Sequence, residues 1–239
     1  MKALITGVNS LVNKVLLEKL LNMGYEVTAH YHTENEITKE LKEKYPKVKF
    51  IQADFSNKEG FLDFVSKAMT GKYDVLVNAC VYYAEAKDWK VQQDWDTWQK
   101  SFAINTTTAG VLMAHGEMTM NKGGVIINIS STYSQTHMTE MNFLIYSATK
   151  SALNSLTTGY AKRWAKENIR VVGIAPGYIE SAWNKGMSEE VKKDTLNDVH
   201  TSEWIKPSEI ADLMESLINN KSINATTIVI DGGLSAPII

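Results

Sequence analysis

The sequence predicts an α/β protein: one doubly wound parallel sheet with helices on both faces. Three observations carry this expectation. Short apolar runs alternate with longer amphipathic runs from end to end, as in parallel sheets covered on both sides. No Pro/Gly/Ser-rich linker, internal repeat or low-complexity tract divides the 239 residues, so one domain spanning 1–239 is expected. Thr6-Gly7 stands directly between the first apolar run and the first helical run. Such sheets turn their backbone there toward a ligand at a helix N-terminus.

The elements follow in order. Lys2 to Ile5 reads as a strand, and Val12 to Met23 as a helix with Val12, Val15, Leu16 and Leu20 on one face. Glu26 to Tyr31 is the second strand, Lys39 to Lys44 a helix, Val48 to Gln52 the third strand and Gly60 to Met69 a helix. Val75 to Val77 is the fourth strand, followed by a long helical stretch from Trp95 to Met120 and a fifth strand from Val125 to Ile129. A helix containing Tyr146 comes next, with Ala148, Ala152, Leu153, Leu156, Tyr160, Ala161 and Trp164 at helical spacing. Arg170 to Ile174 is the sixth strand, Ile210 to Ile218 a helix and Thr227 to Ile230 the last strand. Ligands are expected at the carboxyl ends of these strands.

Composition excludes several functions. At 44% hydrophobic, 22% charged and a formal net charge of -2, the chain is ordinary globular material with no electrostatic case for nucleic acid. Arg163 and Arg170 are the only arginines, so phosphate recognition by arginine forks is scarce. The single Cys80 excludes an intrachain disulfide and gives no zinc pattern, and no metal is expected. It reads as a small buried hydrophobe rather than a nucleophile. No apolar run approaches the roughly 20 residues that span a bilayer, and Ala3-Leu4-Ile5 is too short for a secretory signal. A cytoplasmic protein without membrane partners is expected.

The chemistry concentrates in Tyr146-Ser147-Ala148-Thr149-Lys150. Helical spacing puts Tyr146 and Lys150 on one face. A free phenol, with a pKa near 10, is a poor acid or base at neutral pH. A neighbouring ammonium stabilises the phenolate and is expected to lower that pKa, so that the phenol exchanges a proton with an alcohol or ketone. Upstream, the fifth strand ends in Ser130-Ser131, whose hydroxyls are candidates to hold a substrate oxygen beside the phenol.

Further markers lie at strand ends. Asp54 ends the third strand, Asn78-Ala79 the fourth, Pro176-Gly177 the sixth and Asp231-Gly232-Gly233 the last, while Asn105 lies in the long helical stretch. In this order, together with Thr6-Gly7, Ser131, Tyr146 and Lys150, the chain resembles the short-chain dehydrogenase/reductase family over essentially its whole length. The resemblance implies a Rossmann-like sheet and assigns roles. Tyr146 matches the catalytic acid/base, and Lys150 the residue that lowers its pKa and bonds the nicotinamide ribose. Ser131 rather than Ser130 matches the substrate-orienting hydroxyl, and Asn105 the holder of a water in the proton relay. Gly7, Asn9 and Val12 in the first turn match cofactor contacts, as do Tyr31, His32, Asp54 with its neighbour Phe55, and Asn78 with Ala79. Asp54 looks like the adenine-contacting acid. Ile179 and Ser181 look like contacts to the nicotinamide carboxamide.

The loop departs from the family's T-G-x-x-x-G-x-G, with Leu11 and Asn13 replacing its second and third glycines and Cys80 replacing the glycine of N-A-G. Glycine serves such loops by allowing positive φ or close backbone approach. No acid stands at the end of the second strand, where Tyr31 precedes His32, so NADP(H) is favoured over NAD(H), although the glycine loop lacks a basic residue.

Met138, Met141, Phe143, Trp183 and Met187 lie in the two regions that border the family's substrate pocket. An apolar lining there suits a hydrophobic or acyl substrate, and ordinary packing accounts for these residues equally well. Among subfamilies the chain looks nearest to 3-oxoacyl-carrier-protein reductases. Of two basic carrier-docking positions, Lys122 matches one, whereas Glu167 occupies the other with the opposite sign. The leading expectation is an NAD(P)H-dependent reductase of a small-molecule carbonyl, carrier-linked or free. The altered glycines motivate a non-catalytic scaffold or regulatory member, and Tyr146 is also compatible with a non-redox elimination or isomerisation. A homodimer or homotetramer is implied, built from the Asn105 and Tyr146 helices and the last strand, with Ala236-Pro237-Ile238-Ile239 a further candidate contact.

Overall fold

The structure is a computed structural model that describes residues 1–84, 89–181 and 186–236. Seven strands form one sheet: β1 (Lys2–Ile5), β2 (Glu26–Tyr31), β3 (Lys49–Gln52), β4 (Tyr73–Asn78), β5 (Met120–Ile129), β6 (Arg170–Pro176) and β7 (Thr227–Ile230). They lie in the order β3-β2-β1-β4-β5-β6-β7, and every pairing is parallel. Each strand's side chains alternate between two cores. Ala3 and Ile5, Val75 and Val77, Val125 and Ile127, and Val172 and Ile174 face one side; Leu4, Leu76, Ile126 and Val171 face the other. The first core is closed by α1 (Leu11–Asn22), α2 (Glu36–Lys44) and α9 (Pro207–Asn219), which contribute Leu16, Leu41 and Ile210 among others. The second is closed by α3 (Lys58–Ala68), α5 (Thr108–Ala114) and α7 (Leu144–Arg163), through Phe64, Leu112 and Leu153. Burying each such side chain contributes about 1.5–3 kcal/mol. No described helix is long and apolar enough to cross a membrane.

Capping sets several helix starts. Ser10 accepts from the Asn13 backbone to open α1, and Asn35 with Thr38 forms a capping box that starts α2 at Glu36, earlier than its apolar spacing indicates. The expected helix from Trp95 to Met120 is broken. It divides into α4 (Trp95–Phe102), a π-helical turn (Ala103–Thr107), α5 and the short α6 (Gly116–Thr119). Met120 begins β5 and pairs with Tyr73. The break has a tertiary cause: the Trp164 indole donates to the Met113 carbonyl at 2.8 Å and lies so close to Gly116 that a Cβ there would stand 2.8 Å from Nε1. One helix was unforeseen, the mostly polar α8 (Glu189–Leu196), capped by Ser188.

The chain runs from β1 outward to β3 and then returns to β4 on the other side of β1. The two halves therefore diverge between β1 and β4, where parallel sheets open a crevice at their carboxyl ends. Thr6 and Ala79 meet there. The Thr6 N–H donates to the Val77 carbonyl at 2.9 Å, and the Ala79 N–H donates to Thr6 Oγ1 at 3.0 Å.

Candidate active site

β5 delivers both serines to the carboxyl edge, and the fold assigns them different tasks. Ser130 is tied into the scaffold, its N–H donating to the Ile174 carbonyl at 2.7 Å and its hydroxyl to the Lys150 carbonyl at 3.4 Å. Ser131 accepts from the Tyr133 N–H at 3.2 Å, capping a short turn, and its side chain lies near enough to the Tyr146 phenol to pull its pKa down. The hydroxyl beside the phenol is thus that of Ser131.

One turn along α7, Lys150 is 1% exposed, its Nζ 5.7 Å from the Tyr146 ring centre and donating to the Ile129 carbonyl at 2.7 Å. Burial pushes this ammonium down to about 8. It also pushes the Tyr146 phenol up, to about 12, against a downward pull from Ser131. The expected lowering of the phenol is therefore reversed: desolvation dominates, and the ammonium is turned to a backbone carbonyl. This arrangement keeps the Tyr146 phenol protonated at neutral pH.

Asn105 sits in the π-helical turn, which packs on α7. Its Oδ1 accepts from the Tyr82 N–H at 2.7 Å, and its Nδ2 donates to the Tyr82 carbonyl at 2.8 Å and to Thr149 Oγ1 at 3.1 Å. Thr106 donates to the Thr149 carbonyl at 2.9 Å. Asn105 thus clamps the segment after β4 to the Tyr146 helix. Both of its amide protons are committed to these bonds.

At the first turn Gly7 has φ +75, and a Cβ there would meet the Ala79 carbonyl oxygen at 3.0 Å. This is the conformation and close approach that only glycine takes readily. Asn13 is buried, with Nδ2 donating to the Gly7 carbonyl at 2.9 Å and Oδ1 lacking a partner among the described residues. Leu11 is half-buried at the first position of α1, whereas Val12 packs on the core. The backbone carbonyl of Asn9 accepts from Asn35 at 2.9 Å. The Asn78 amide donates to Asn128 Oδ1 at 2.8 Å, and its own Oδ1 has no partner among the described residues. A crevice of about 240 Å³ at this level is lined by Thr6, Phe55, Asn78, Cys80 and Asn105 among others.

The remaining cofactor candidates spread along the same edge. Tyr31 is buried under Lys42, which donates to its hydroxyl at 2.8 Å. His32 is exposed, with Nε2 3.6 Å from Asp54 Oδ1. Burial pushes the Asp54 carboxyl up, but hydrogen bonds from Ser56 and the nearby His32 and Lys100 outweigh it and hold it below the ordinary value. Phe55 points into the core, stacked on His30 with ring centres 3.9 Å apart. Ile179 bridges to Ile205, and Ser181 is half-buried at the end of a described segment. Among the substrate-side residues, Phe143 stacks on Tyr133, Met138 and Met187 are half-buried, and Met141 is 67% exposed. Trp183 and the tail Pro237, Ile238 and Ile239 lie outside the described residues.

Sequence reasoning missed His30. It is 1% exposed, and burial pushes it down to about 4, so it is neutral. Gly7 N–H donates to Nδ1 at 3.3 Å, which places the proton on Nε2, 3.1 Å from the Ala53 carbonyl. Cys80 Sγ lies 3.4 Å from Nδ1, and burial pushes its thiol up to about 12, so it is no nucleophile. Side chains thus hold both polar backbone groups of Gly7, His30 the N–H and Asn13 the carbonyl. The only signal in the sequence is a histidine inside an alternating strand.

A doubly wound parallel sheet with a glycine turn at its switch point is the architecture of dinucleotide-binding oxidoreductases. A family model described as enoyl-(acyl carrier protein) reductase matches residues 15–235. The chain is 27% identical over 246 residues to the 3-oxoacyl-[acyl-carrier-protein] reductase FabG of Staphylococcus aureus, covering 97% of each. A short-chain dehydrogenase/reductase from Serratia marcescens superposes with TM-score 0.87 at 24% identity over 98% of both chains. A blue fluorescent protein from a metagenomic library, solved in complex with NADPH, does so with TM-score 0.87 at 23% identity over 98% of both. The chain belongs to the short-chain dehydrogenase/reductase family.

Proposed function

We propose that this protein is an NAD(P)H-dependent reductase that converts a carbonyl to an alcohol. The observation that carries the reading is the Ser131–Tyr146–Lys150 group at the carboxyl edge, with Ser131 and Lys150 buried and Tyr146 half-buried. The site fits a dinucleotide: Gly7 keeps the positive φ and close approach, and the N-terminus of α1 faces the same edge. Gly7, Asn9 and the start of α1 would hold the pyrophosphate, Asp54 the adenine, Lys150 the ribose, and Ile179 with Ser181 the carboxamide. The bound nicotinamide supplies a hydride to the carbonyl carbon. Ser131 orients the carbonyl oxygen, and the protonated Tyr146 phenol delivers the proton to it. The Lys150 charge stabilises the phenolate that results. NADP(H) is favoured, because Tyr31 rather than an acid ends β2, and the exposed His32, which faces Asp54 at 3.6 Å, is the candidate to meet a 2′-phosphate. A 3-oxoacyl carrier substrate, the activity named for the Staphylococcus relative, is disfavoured by the Glu167 carboxylate where a basic docking residue is expected.

Titration with NADPH and NADH, followed by nicotinamide fluorescence, tests the reading. Micromolar binding is expected, tighter for NADPH. In Tyr146→Phe, kcat for ketone reduction should fall about 10²–10⁴-fold with cofactor affinity retained. No binding at millimolar concentrations of either nucleotide would overturn the proposal in favour of a scaffold or a non-redox enzyme.

A further inference from the structure

A run of aromatic rings leads away from Tyr146. The Tyr83 ring stands edge-on to Tyr146, with centres 5.9 Å apart and planes at 90°. Phe143 stacks on Tyr83 at 5.2 Å and on Tyr133 at 4.3 Å, so it is held on both faces. The Tyr133 hydroxyl is fixed in turn by the Tyr178 hydroxyl, 3.0 Å away. Tyr83, Tyr133 and Tyr178 follow β4, β5 and β6, and Phe143 directly precedes α7, so the parallel sheet itself assembles the run. Tyr83 and Tyr146 together line a crevice of about 230 Å³.

These observations bear on the substrate class, given the reductase reading above. A ring held by stacked neighbours cannot swing away, and it rewards a flat partner with offset or edge-to-face contact. A flexible acyl chain gains no such geometric reward. We propose that the substrate is an aryl ketone, its ring against Tyr83 and its carbonyl oxygen at Ser131 and Tyr146. The reaction balances as aryl ketone plus NAD(P)H plus one proton giving aryl carbinol and NAD(P)⁺. Hydride forms the new C–H bond, and the Tyr146 proton, replaced from solvent, forms the O–H bond. Tyr83 is the specificity-determining residue.

The test compares acetophenone with cyclohexyl methyl ketone, equal in carbon count but not flat, and with an acetoacetyl-pantetheine thioester. Conjugation makes the aryl ketone intrinsically the poorest electrophile, so a preference for it must come from binding. We expect kcat/KM for acetophenone to exceed that of the cyclohexyl ketone by about 10-fold. Tyr83→Leu should shrink the ratio toward one through KM, and Tyr83→Phe should restore it. Saturation-transfer NMR of the two ketones without nucleotide reads the same contact independently of turnover. Transfer to the acetophenone ring that Tyr83→Leu removes supports the inference; equal transfer to both ketones overturns it. Faster turnover of the thioester would also overturn it while leaving the reductase reading intact. Failure to bind NADPH would overturn the reductase reading, and the NMR result would still decide the ring contact.

Discussion

Lys150 holds a charge where burial penalises it, and this makes its titration visible. Its ordinary pKa of 10.5 falls to about 8 in the folded chain. Between those values the unfolded chain keeps a proton that the folded chain has released, so this group adds stability as pH rises through the window. Its contribution is complete above 10.5 and lost as pH falls through about 8. In Lys150→Met the lost bond to Ile129 is a constant offset, so the melting temperature relative to the parent should decline from pH 8 to 10. A pH-independent difference would count against a buried, depressed lysine. Catalysis should carry the same signature, with kcat/KM for reduction falling above about pH 8 as the Lys150 charge is lost. Asn13 offers a second residue-level test. Replacing it by the family's glycine removes the tether on the Gly7 carbonyl and puts glycine in the first turn of α1. Asn13→Gly should cost about 1–2 kcal/mol, roughly 2–8 °C in Tm, without tighter NADPH binding. A tenfold tighter Kd would show that Asn13 obstructs rather than supports the loop. The chemical group Ser131, Tyr146 and Lys150 was legible in the sequence because its spacing follows from one strand end and one helix face. The His30 and Asn13 bonds to Gly7 were not, because they depend on which face of β2 and α1 turns toward the loop.

Elements were legible where local physics decides them. Six of the seven strands carry apolar residues on both faces, β2 alone alternating apolar Val27, Ala29 and Tyr31 with polar Glu26, Thr28 and His30, and glycine or polar residues mark their ends. The misread stretch from Trp95 to Met120 failed for a nonlocal reason. Helical periodicity continues across the π-helical turn, and the terminator is Trp164, a residue of another element packed against Gly116. The polar α8 has no apolar stripe to read. The connection between β3 and α3 gives a test of how tightly elements are joined. A Cβ on Gly60, in the first turn of α3, would lie 2.3 Å from the Asp54 carbonyl oxygen, a backbone atom that cannot swing aside. Gly60→Ala should therefore cost about 1–3 kcal/mol, or roughly 2–12 °C in Tm. It should also weaken NADPH binding, because Asp54 must shift. Unchanged thermal unfolding would show that this approach is looser than the geometry states.

At the scale of the whole molecule, the doubly wound architecture followed from alternation alone, whereas association depends on surfaces no periodicity reports. β7 is the last strand of the sheet, with no described strand beyond it, and Val229 on it is 41% exposed. An edge strand of apolar residues is a template for pairing with another chain. Trp95, at the start of the helix that leads to Asn105, is 72% exposed, a large apolar surface for a monomer to leave in water. Both features lie on elements for which the resemblance implies subunit contacts, and closed symmetric assembly would bury them. Light scattering should therefore give two or four times the 26.7 kDa chain mass. Val229→Lys places a charge on the edge strand, the device by which natural sheets block such pairing, and Trp95→Glu does the same on the helix. If the assembly is a tetramer using both surfaces, each variant alone should stop at a dimer, and the double variant should run as a monomer. A parent mass of 26.7 kDa across the micromolar range would refute association and leave both apolar surfaces to be explained by another partner.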